Sequence, residues 1–284
     1  MIDLQTKLVG LIGKPLEHSL SPWMHNETYT RLGLNMAYLP IEVLENDLET
    51  VINGIRKMNF IGFNVTIPHK ISIIPYLDDI DPLAKQIGSV NTITCCNGFL
   101  KGYNTDGEGF VSYLETSQGI NCSDKVFLIM GSGGASRAIA MTLAARKAKK
   151  IYLFNRTIEK AKQLASEIMS YYDCICQAKN LDDTTLKALI KEADVLINTT
   201  SVGLYPNIDQ TPVKYDLLSS HLIVADIIYN PLHTRLLQEA KEKGCGIVTG
   251  EGMFVNQGAK AFAIWTKQPA PYSMMKRVLE EKLI

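Results

Sequence analysis

The sequence predicts an α/β protein of two domains, the second of them a doubly wound parallel sheet. Three observations lead there. Strand-like apolar runs alternate with helical patterns along most of the chain, as parallel strands joined by crossover helices require. Near the middle, the apolar run Val126–Met130 stops at Gly131-Ser132-Gly133-Gly134 and a helical pattern follows, so a strand delivers its backbone into a tight turn. Strand patterns then run out near Val248, and the two helical stretches beyond it have no sheet of their own, so they are expected to return to the first domain. The expected division is therefore 1–108 with 249–284 as one domain and 109–248 as the other.

Each element has a local reason. Leu8–Ile12 reads as a first buried strand. Ser21 before Pro22 marks a helix over Pro22–Leu32, with Ser21 as its N-cap; nothing comparable explains Ser19. Tyr38–Val43 is a second strand, and Asn46 with Glu49 has the spacing of a capping box opening a helix over Asp47–Met58. Phe63–Ile67 is a third strand, halted by Pro68; Ile71–Leu77 and Pro82–Ile87 carry helical patterns. Asn97-Gly98 between Val90–Cys96 and Phe99–Tyr103 is a type I′ hairpin signal. Asn104 to Gly107 leads into a helix around Phe110–Glu115. After the glycine turn come a helix over Ala135–Ala145 and strands near Ile151, Ile175, Val195 and Leu222, with helices between them. Thr234–Lys243 is a helix closed by Gly244, Gly246–Val248 a short strand, and Phe254–Trp265 and Tyr272–Leu283 the final helices.

Charge excludes several classes of partner. Lys plus Arg number 29 and Asp plus Glu number 29 in 284 residues, with no long run of one sign, so neither nucleic acid nor a membrane surface is the expected partner. A small molecule is. Leu8–Ile12 is too short for the core of a signal peptide, and no stretch approaches the ~20 apolar residues of a membrane helix, so a cytosolic protein is expected. The six cysteines show no C-x-x-C and the five histidines no H-E-x-x-H, which predicts reduced thiols and no metal.

The glycine turn fits a dinucleotide. Gly131 allows the turn, Gly133 allows a pyrophosphate to approach, and the unpaired N–H groups opening the Ala135–Ala145 helix favour negative charge. The third glycine of G-x-G-x-x-G is replaced by Ser136. At the end of the strand Ile151–Phe154, where an acid would hold a free ribose hydroxyl, stand Asn155, Arg156 and Thr157, with Lys160 one turn on. Cations there suit a 2′-phosphate, so NADP is the expected cofactor. The bland alternative is that Asn155 and Thr157 cap the helix Ile158–Met169 and Arg156 is a solvated surface residue.

Ligands in open α/β sheets sit beyond the carboxyl ends of strands. Four polar clusters occupy such places in the first half: Ser19 with Ser21, Thr66 with Lys70, Asn91 with Thr92, and Asn104 with Asp106. Singly each is also a cap, an exposed lysine, a turn amide or an N-cap aspartate. Together they suit hydride transfer between a secondary alcohol and a nicotinamide, with Lys70 moving the proton, Asp106 holding the ammonium and the neutral donors binding a polyhydroxylated, carboxylated substrate.

These stretches resemble the shikimate dehydrogenase family: His18–Pro22, Asn64–Lys70, Ser89–Thr92, Gly102–Gly107, Gly131–Arg137, Asn155–Thr157 and Gln257-Gly258-Ala259, in the family's order. The resemblance implies a Rossmann-type NADP-binding domain, an N-terminal substrate domain, and reversible NADPH-dependent reduction of 3-dehydroshikimate to shikimate in chorismate biosynthesis. It implies Lys70 as proton acceptor with Asp106 as its partner, and substrate contacts from Ser19, Ser21, Thr66, Asn91, Tyr229 and Gln257. It puts Gly131, Ser132, Gly133, Gly134, Ala135, Asn155, Arg156, Thr157, Lys160, Ile227 and Gly250 at cofactor positions, and makes Ser136 the family's own residue. A quinate/shikimate branch using NAD is similar in His18–Pro22, Tyr229-Asn230-Pro231 and Trp265-Thr266, and Lys160 stands where many NADP members carry arginine. The Thr66 methyl is expected to disfavour the extra bulk of quinate. A redox-sensing NADP module without catalysis is the reading from another class; it leaves Lys70, Asp106 and the two serines unexplained. A homodimer is compatible with these residues, which do not fix the assembly.

Overall fold

The computed structural model describes Ile2–Leu283, with side chains as far as Lys282. The chain divides into two compact units, one running to Thr105 and resuming at Val255, the other spanning Asp106–Phe254.

The first unit holds β1 (Lys7–Gly13), α1 (Ser21–Arg31), β2 (Met36–Glu42), α2 (Leu48–Ile55), β3 (Gly62–Val65), α3 (His69–Ser72), β4 (Asp79–Ile80), α4 (Pro82–Ile87), β5 (Thr92–Cys96) and β6 (Phe99–Tyr103). Its sheet has the order β2-β1-β3-β5-β6-β4. The first three strands are parallel, and β5 then runs antiparallel to both β3 and β6. Alternate residues of these strands meet α2 and α4 in a core that includes Ile12, Ile52, Phe63, Val65, Ala84 and Ile93. The hairpin between β5 and β6 forms as its sequence requires, with Asn97 at φ 52° and Gly98 at φ 80°.

The second unit holds α5 (Asp106–Gln118), β7 (Val126–Met130), α6 (Gly134–Ala145), β8 (Lys150–Asn155), α7 (Ile158–Tyr171), β9 (Ile175–Asn180), α8 (Asp183–Ile190), β10 (Val195–Asn198), β11 (Ile223–Asp226), α9 (Arg235–Glu242) and β12 (Gly246–Val248). All six strands are parallel, in the order β12-β11-β10-β7-β8-β9. The strand order reverses between β7 and β10, the switch point at which doubly wound sheets open a crevice. β7 is apolar throughout, and β8 and β10 are apolar but for Lys150, Asn155 and Asn198 at their ends, the pattern of parallel strands covered on both faces.

The unit boundary falls inside α10 (Gly250–Thr266), followed by α11 (Tyr272–Leu283). The remainder of α10 belongs to the first unit. There Trp265 donates its indole N–H to the carbonyl of Ile93 at 2.9 Å, and Gly258 lets α10 meet α1, since an added Cβ would lie 2.5 Å from Met24 Cε. Among the described residues, no helix is long and apolar enough to cross a membrane.

Three local expectations change. Ser21 is the first helical residue rather than a cap: the N-cap position is Leu20, with no capping side chain. The Asn46 capping box does not form, because a 3-10 turn over Glu45–Asp47 precedes α2 and Asp47 takes the N-cap position. Ile71–Leu77 is broken into α3 and a 3-10 turn at Ile74–Tyr76, where Pro75 has no N–H to continue a helix.

Candidate functional site

Strand register brings the first unit's polar clusters to one end of its sheet. Ile12 lies beside Val65, Asn64 beside Thr92, and Thr92 beside Tyr103. The carboxyl ends of β1, β3 and β6 and the start of β5 therefore coincide. From that end issue the segment carrying Ser19 and Ser21, the Thr66–Lys70 turn, Asn91, and the Asn104-Thr105 link that leads to Asp106.

Beneath them lies a buried polar network whose directions are forced. The Thr105 backbone N–H can only donate, and it points at Asn91 Oδ1 at 2.8 Å. That orients the Asn91 amide, so Nδ2 is its donor, bonded to Thr105 Oγ1 at 3.0 Å. The carbonyl of Asn91 can only accept, so it takes Asn64 Nδ2 at 3.0 Å, which also donates to Thr92 Oγ1 at 2.9 Å. Asn64 Oδ1 is thereby left to accept from the Tyr38 hydroxyl at 2.8 Å. With Tyr38 at 1% exposure and Thr92 at 0%, water replaces none of these bonds. Because Asn91 Oδ1 is occupied, a hydrogen bond from this side chain to a ligand must be donated by Nδ2.

Other predicted positions are more open. Thr66 is half-buried, its N–H donating to Ile12 O at 2.8 Å and its carbonyl accepting from His69 at 2.9 Å. Its methyl rests on Gly13, where an added Cβ would lie 2.3 Å from Cγ2. Lys70 sits half-buried in α3, its carbonyl accepting from Val90 N at 2.8 Å. Ser19 Oγ accepts weakly from Ser21 N at 3.4 Å, and Gln257 lies half-buried on α10 beside Gly258.

In the second unit Asp106 begins α5, one residue beyond the anchored Thr105. The glycine turn behaves as its sequence suggests: Gly131 adopts φ +110°, and an added Cβ would lie 2.7 Å from Thr199 Oγ1. At Gly133 and Gly134 an added Cβ meets nothing within 4 Å, so the space over the turn is open. Ser136 explains the missing third glycine. Fully buried, its hydroxyl donates to Gly131 O at 2.8 Å and ties the turn to α6. Arg156 and Lys160 are exposed and Asn155 is half-buried. The capping part of the alternative is not seen, since Thr157 occupies the N-cap position without a side-chain capping bond and Asn155 Nδ2 donates to Thr157 O at 2.8 Å, while Arg156 is exposed as that alternative has it. Ile227 continues β11 with its N–H on Asn198 O at 3.1 Å. Gly250 packs against the same strand end, a Cβ there falling 2.4 Å from Ile227 O. Tyr229 is half-buried with its ring centroid 5.1 Å from that of Phe254, and burial pushes its phenol up.

Comparison with known proteins agrees along the whole length. Residues 11–93 match the model of the shikimate dehydrogenase substrate binding domain, 114–227 that of shikimate/quinate 5-dehydrogenase, and 250–280 that of the shikimate 5′-dehydrogenase C-terminal domain. A shikimate dehydrogenase (NADP(+)) of Alkaliphilus oremlandii is 44% identical over 98% of this chain and 98% of its own. The chain belongs to the shikimate dehydrogenase family. The solved shikimate 5-dehydrogenase of Listeria monocytogenes, in complex with shikimate and NAD, superposes with a TM-score of 0.94 at 40% identity, covering 98% of both chains. The ligand-free 5-ketofructose reductase of Gluconobacter sp. strain CHM43 follows at 0.91 and 34% identity, covering 99% of this chain and 100% of its own, so the same architecture also serves another ketone.

The nucleotide cofactor of such dehydrogenases fits these residues: the turn leaves room for a pyrophosphate, α6 opens with unpaired N–H groups, and two cations stand past β8. Sequence reading missed Tyr38 and Asn64, whose partners are 26 or more residues away. It also missed Asp226, a fully buried carboxylate at the end of β11 that accepts from Ile228 N, Thr234 Oγ1 and Asn198 Nδ2. Burial pushes this carboxyl up to about 6 in spite of those bonds.

Proposed function

We propose that this chain catalyses the reversible, NADPH-dependent reduction of 3-dehydroshikimate to shikimate, with Lys70 and Asp106 as its proton-transfer pair. The observation that carries this reading is the arrival of the Ser19–Ser21, Thr66–Lys70 and Asn91 segments, with the link to Asp106, at one end of one sheet. NADPH, when bound, supplies the hydride to the carbonyl carbon. The Lys70 ammonium gives a proton to the oxygen that becomes the hydroxyl, and in the oxidative direction the amine takes it back. Asp106 stabilises the ammonium and accepts from a neighbouring substrate hydroxyl. Asn91 donates to a substrate oxygen through Nδ2, while Ser19, Ser21, Thr66, Tyr229 and Gln257 hold the carboxylate and the remaining hydroxyls. Gly131–Ala135 receives the pyrophosphate, Asn155, Arg156, Thr157 and Lys160 the 2′-phosphate, and Ile227 and Gly250 border the nicotinamide end.

The test is kcat/KM for NAD and NADP, each with shikimate and quinate. NADP with shikimate is expected to exceed NAD with shikimate at least tenfold, a difference of about 1.4 kcal/mol. Preference for NAD by that margin moves the chain to the quinate/shikimate branch. Turnover of neither alcohol leaves the nucleotide-binding module.

A further inference from the structure

The second unit contains a cavity beside the predicted phosphate site that no role has yet been given. About 260 Å³ in volume, it is lined by Ser132, Arg137, Lys160, Gln163, Leu164 and Glu167. The last four recur at i, i+3, i+4 and i+7 and so form one face of α7. Arg137, in the first turn of α6, places a guanidinium nitrogen 2.5 Å from Glu167 Oε2. Gln163 Nε2 donates to the other carboxylate oxygen at 3.0 Å. Glu167 is thus gripped on both oxygens, and Arg137 is drawn toward it.

We infer that Glu167 sets how strongly this chain discriminates NADP from NAD, acting through Arg137 as a third cation for the 2′-phosphate. The inference rests on the reading that Asn155–Lys160 receives that phosphate. Arg137 and Lys160 bring two positive charges to the cavity and Glu167 removes one. A phosphate monoester carries roughly −1.5 to −2 at neutral pH. Glu167 opposes it twice, by direct repulsion and by engaging the guanidinium that would otherwise turn fully to the phosphate. Nothing in NAD occupies the place of that phosphate, so its binding is indifferent to the pair. The Arg137 and Glu167 side chains are 27% and 29% exposed, which leaves the effect partly screened and sensitive to salt. Glu167 is a positioning residue in this account, and its influence is read in selectivity rather than in rate.

Isothermal titration of NADP⁺, NAD⁺ and 2′,5′-ADP into the full chain, at low and high salt, tests this without turnover. Glu167→Gln keeps an oxygen that accepts from Arg137 and removes only the charge. It is expected to tighten NADP⁺ and 2′,5′-ADP about five- to tenfold at low salt, less at high salt, with NAD⁺ unchanged. Arg137→Met is expected to weaken the same two ligands by a similar factor, again sparing NAD⁺. An unchanged NADP/NAD ratio in both variants overturns the inference and reduces the pair to a tie between helices. Wild-type preference for NAD⁺ overturns the cofactor reading instead, and the shift in ratio on Glu167→Gln still decides the role of Glu167.

Discussion

The two units build their functional ends from opposite materials. In the first, neutral amides and hydroxyls are buried together: Asn64 at 6% exposure, Asn91 at 2%, Thr92 at 0% and Thr105 at 3%, hydrogen-bonded to one another and, through Asn64, to Tyr38. In the second, backbone and cations are left open, with Gly133, Gly134, Arg156 and Lys160 all exposed. A substrate recognised by several hydroxyls needs hydrogen-bonding groups locked in direction before it arrives, since flexible ones lose specificity to entropy and water. A phosphate ester is recognised by charge, which tolerates motion and is weakened by salt. Substitutions in the first unit should therefore act through geometry, and those in the second through electrostatics.

The largest effect is expected at the two residues assigned to proton transfer. Lys70→Ala should lower kcat by about 10²–10⁴-fold while substrate and cofactor still bind, since that is the usual worth of positioned proton transfer. Asp106→Asn keeps the shape and removes the charge. It should lower kcat strongly if the carboxylate holds the lysine, and leave it unchanged if Asp106 merely opens α5. Near-normal turnover by the Lys70 variant would remove that residue from its role.

Buried titrating groups sharpen the contrast, because the units bury opposite kinds. His25 in α1 stacks on Tyr38 with ring centroids 4.5 Å apart, its Nε2 has no hydrogen-bond partner among the described residues, and burial lowers it to about 3. The unfolded chain then binds the extra proton below about 6.5, so this contribution to stability is present near neutrality and lost as pH falls, to the extent of about 4–5 kcal/mol by pH 3. Burial raises the Asp226 carboxyl from its ordinary 3.8 to about 6, so the native state holds the extra proton between those values. Its contribution is present below 3.8 and is lost as pH rises through about 6, costing about 3 kcal/mol. Urea unfolding from pH 4 to 7 should show His25→Phe gaining on wild type toward acid and Asp226→Asn gaining toward neutrality. The lost acceptor in Asp226→Asn adds an offset, so the slope is the readout, and flat difference curves would refute both assignments.

Tyr38→Phe tests whether the buried network carries binding geometry or only stability. Removing one hydroxyl strips Asn64 Oδ1 of its donor and frees the amide to turn. KM for shikimate should rise about five- to tenfold with KM for NADP unchanged, along with a stability loss of about 1–2 kcal/mol. A stability loss without the rise in KM would make the network a packing device.

How much of this was legible follows from sequence distance. The Asn97-Gly98 hairpin and the strand ending at Gly131 are written in adjacent residues, and they form as expected. So does the return of Val255 onward to the first unit, which follows from the exhaustion of strand patterns. The two-residue β4 has no pattern to read, for it exists only by pairing with β6. Asn64 reads as one polar residue in an apolar strand until its register with Thr92 is known. Ser21 misled because Ser-Pro is a strong local signal and the chain starts α1 one residue sooner. Local chemistry was readable, whereas buried polar partners need the fold first.

The smallest effect concerns Ser136, the departure from three glycines. A glycine there would suit the general dinucleotide pattern, yet the serine hydroxyl satisfies Gly131 O at 2.8 Å in a fully buried place. Ser136→Ala leaves that carbonyl short of a donor and should cost about 1 kcal/mol of stability. Ser136→Gly loses the same bond and adds backbone freedom inside a helix, so it should cost about 2 kcal/mol in all. Neither should change KM for NADP by more than about threefold, because the hydroxyl is spent inside the turn and its loss leaves the open N–H groups in place. The comparison is made by denaturant unfolding of the two variants beside wild type, with KM measured on the same preparations. If Ser136→Gly is as stable as wild type, the hydrogen bond is not what holds the turn. If instead KM rises in step with lost stability, the turn is a jointed element whose order the cofactor itself must supply, and the nucleotide end would depend on fixed geometry as the substrate end does.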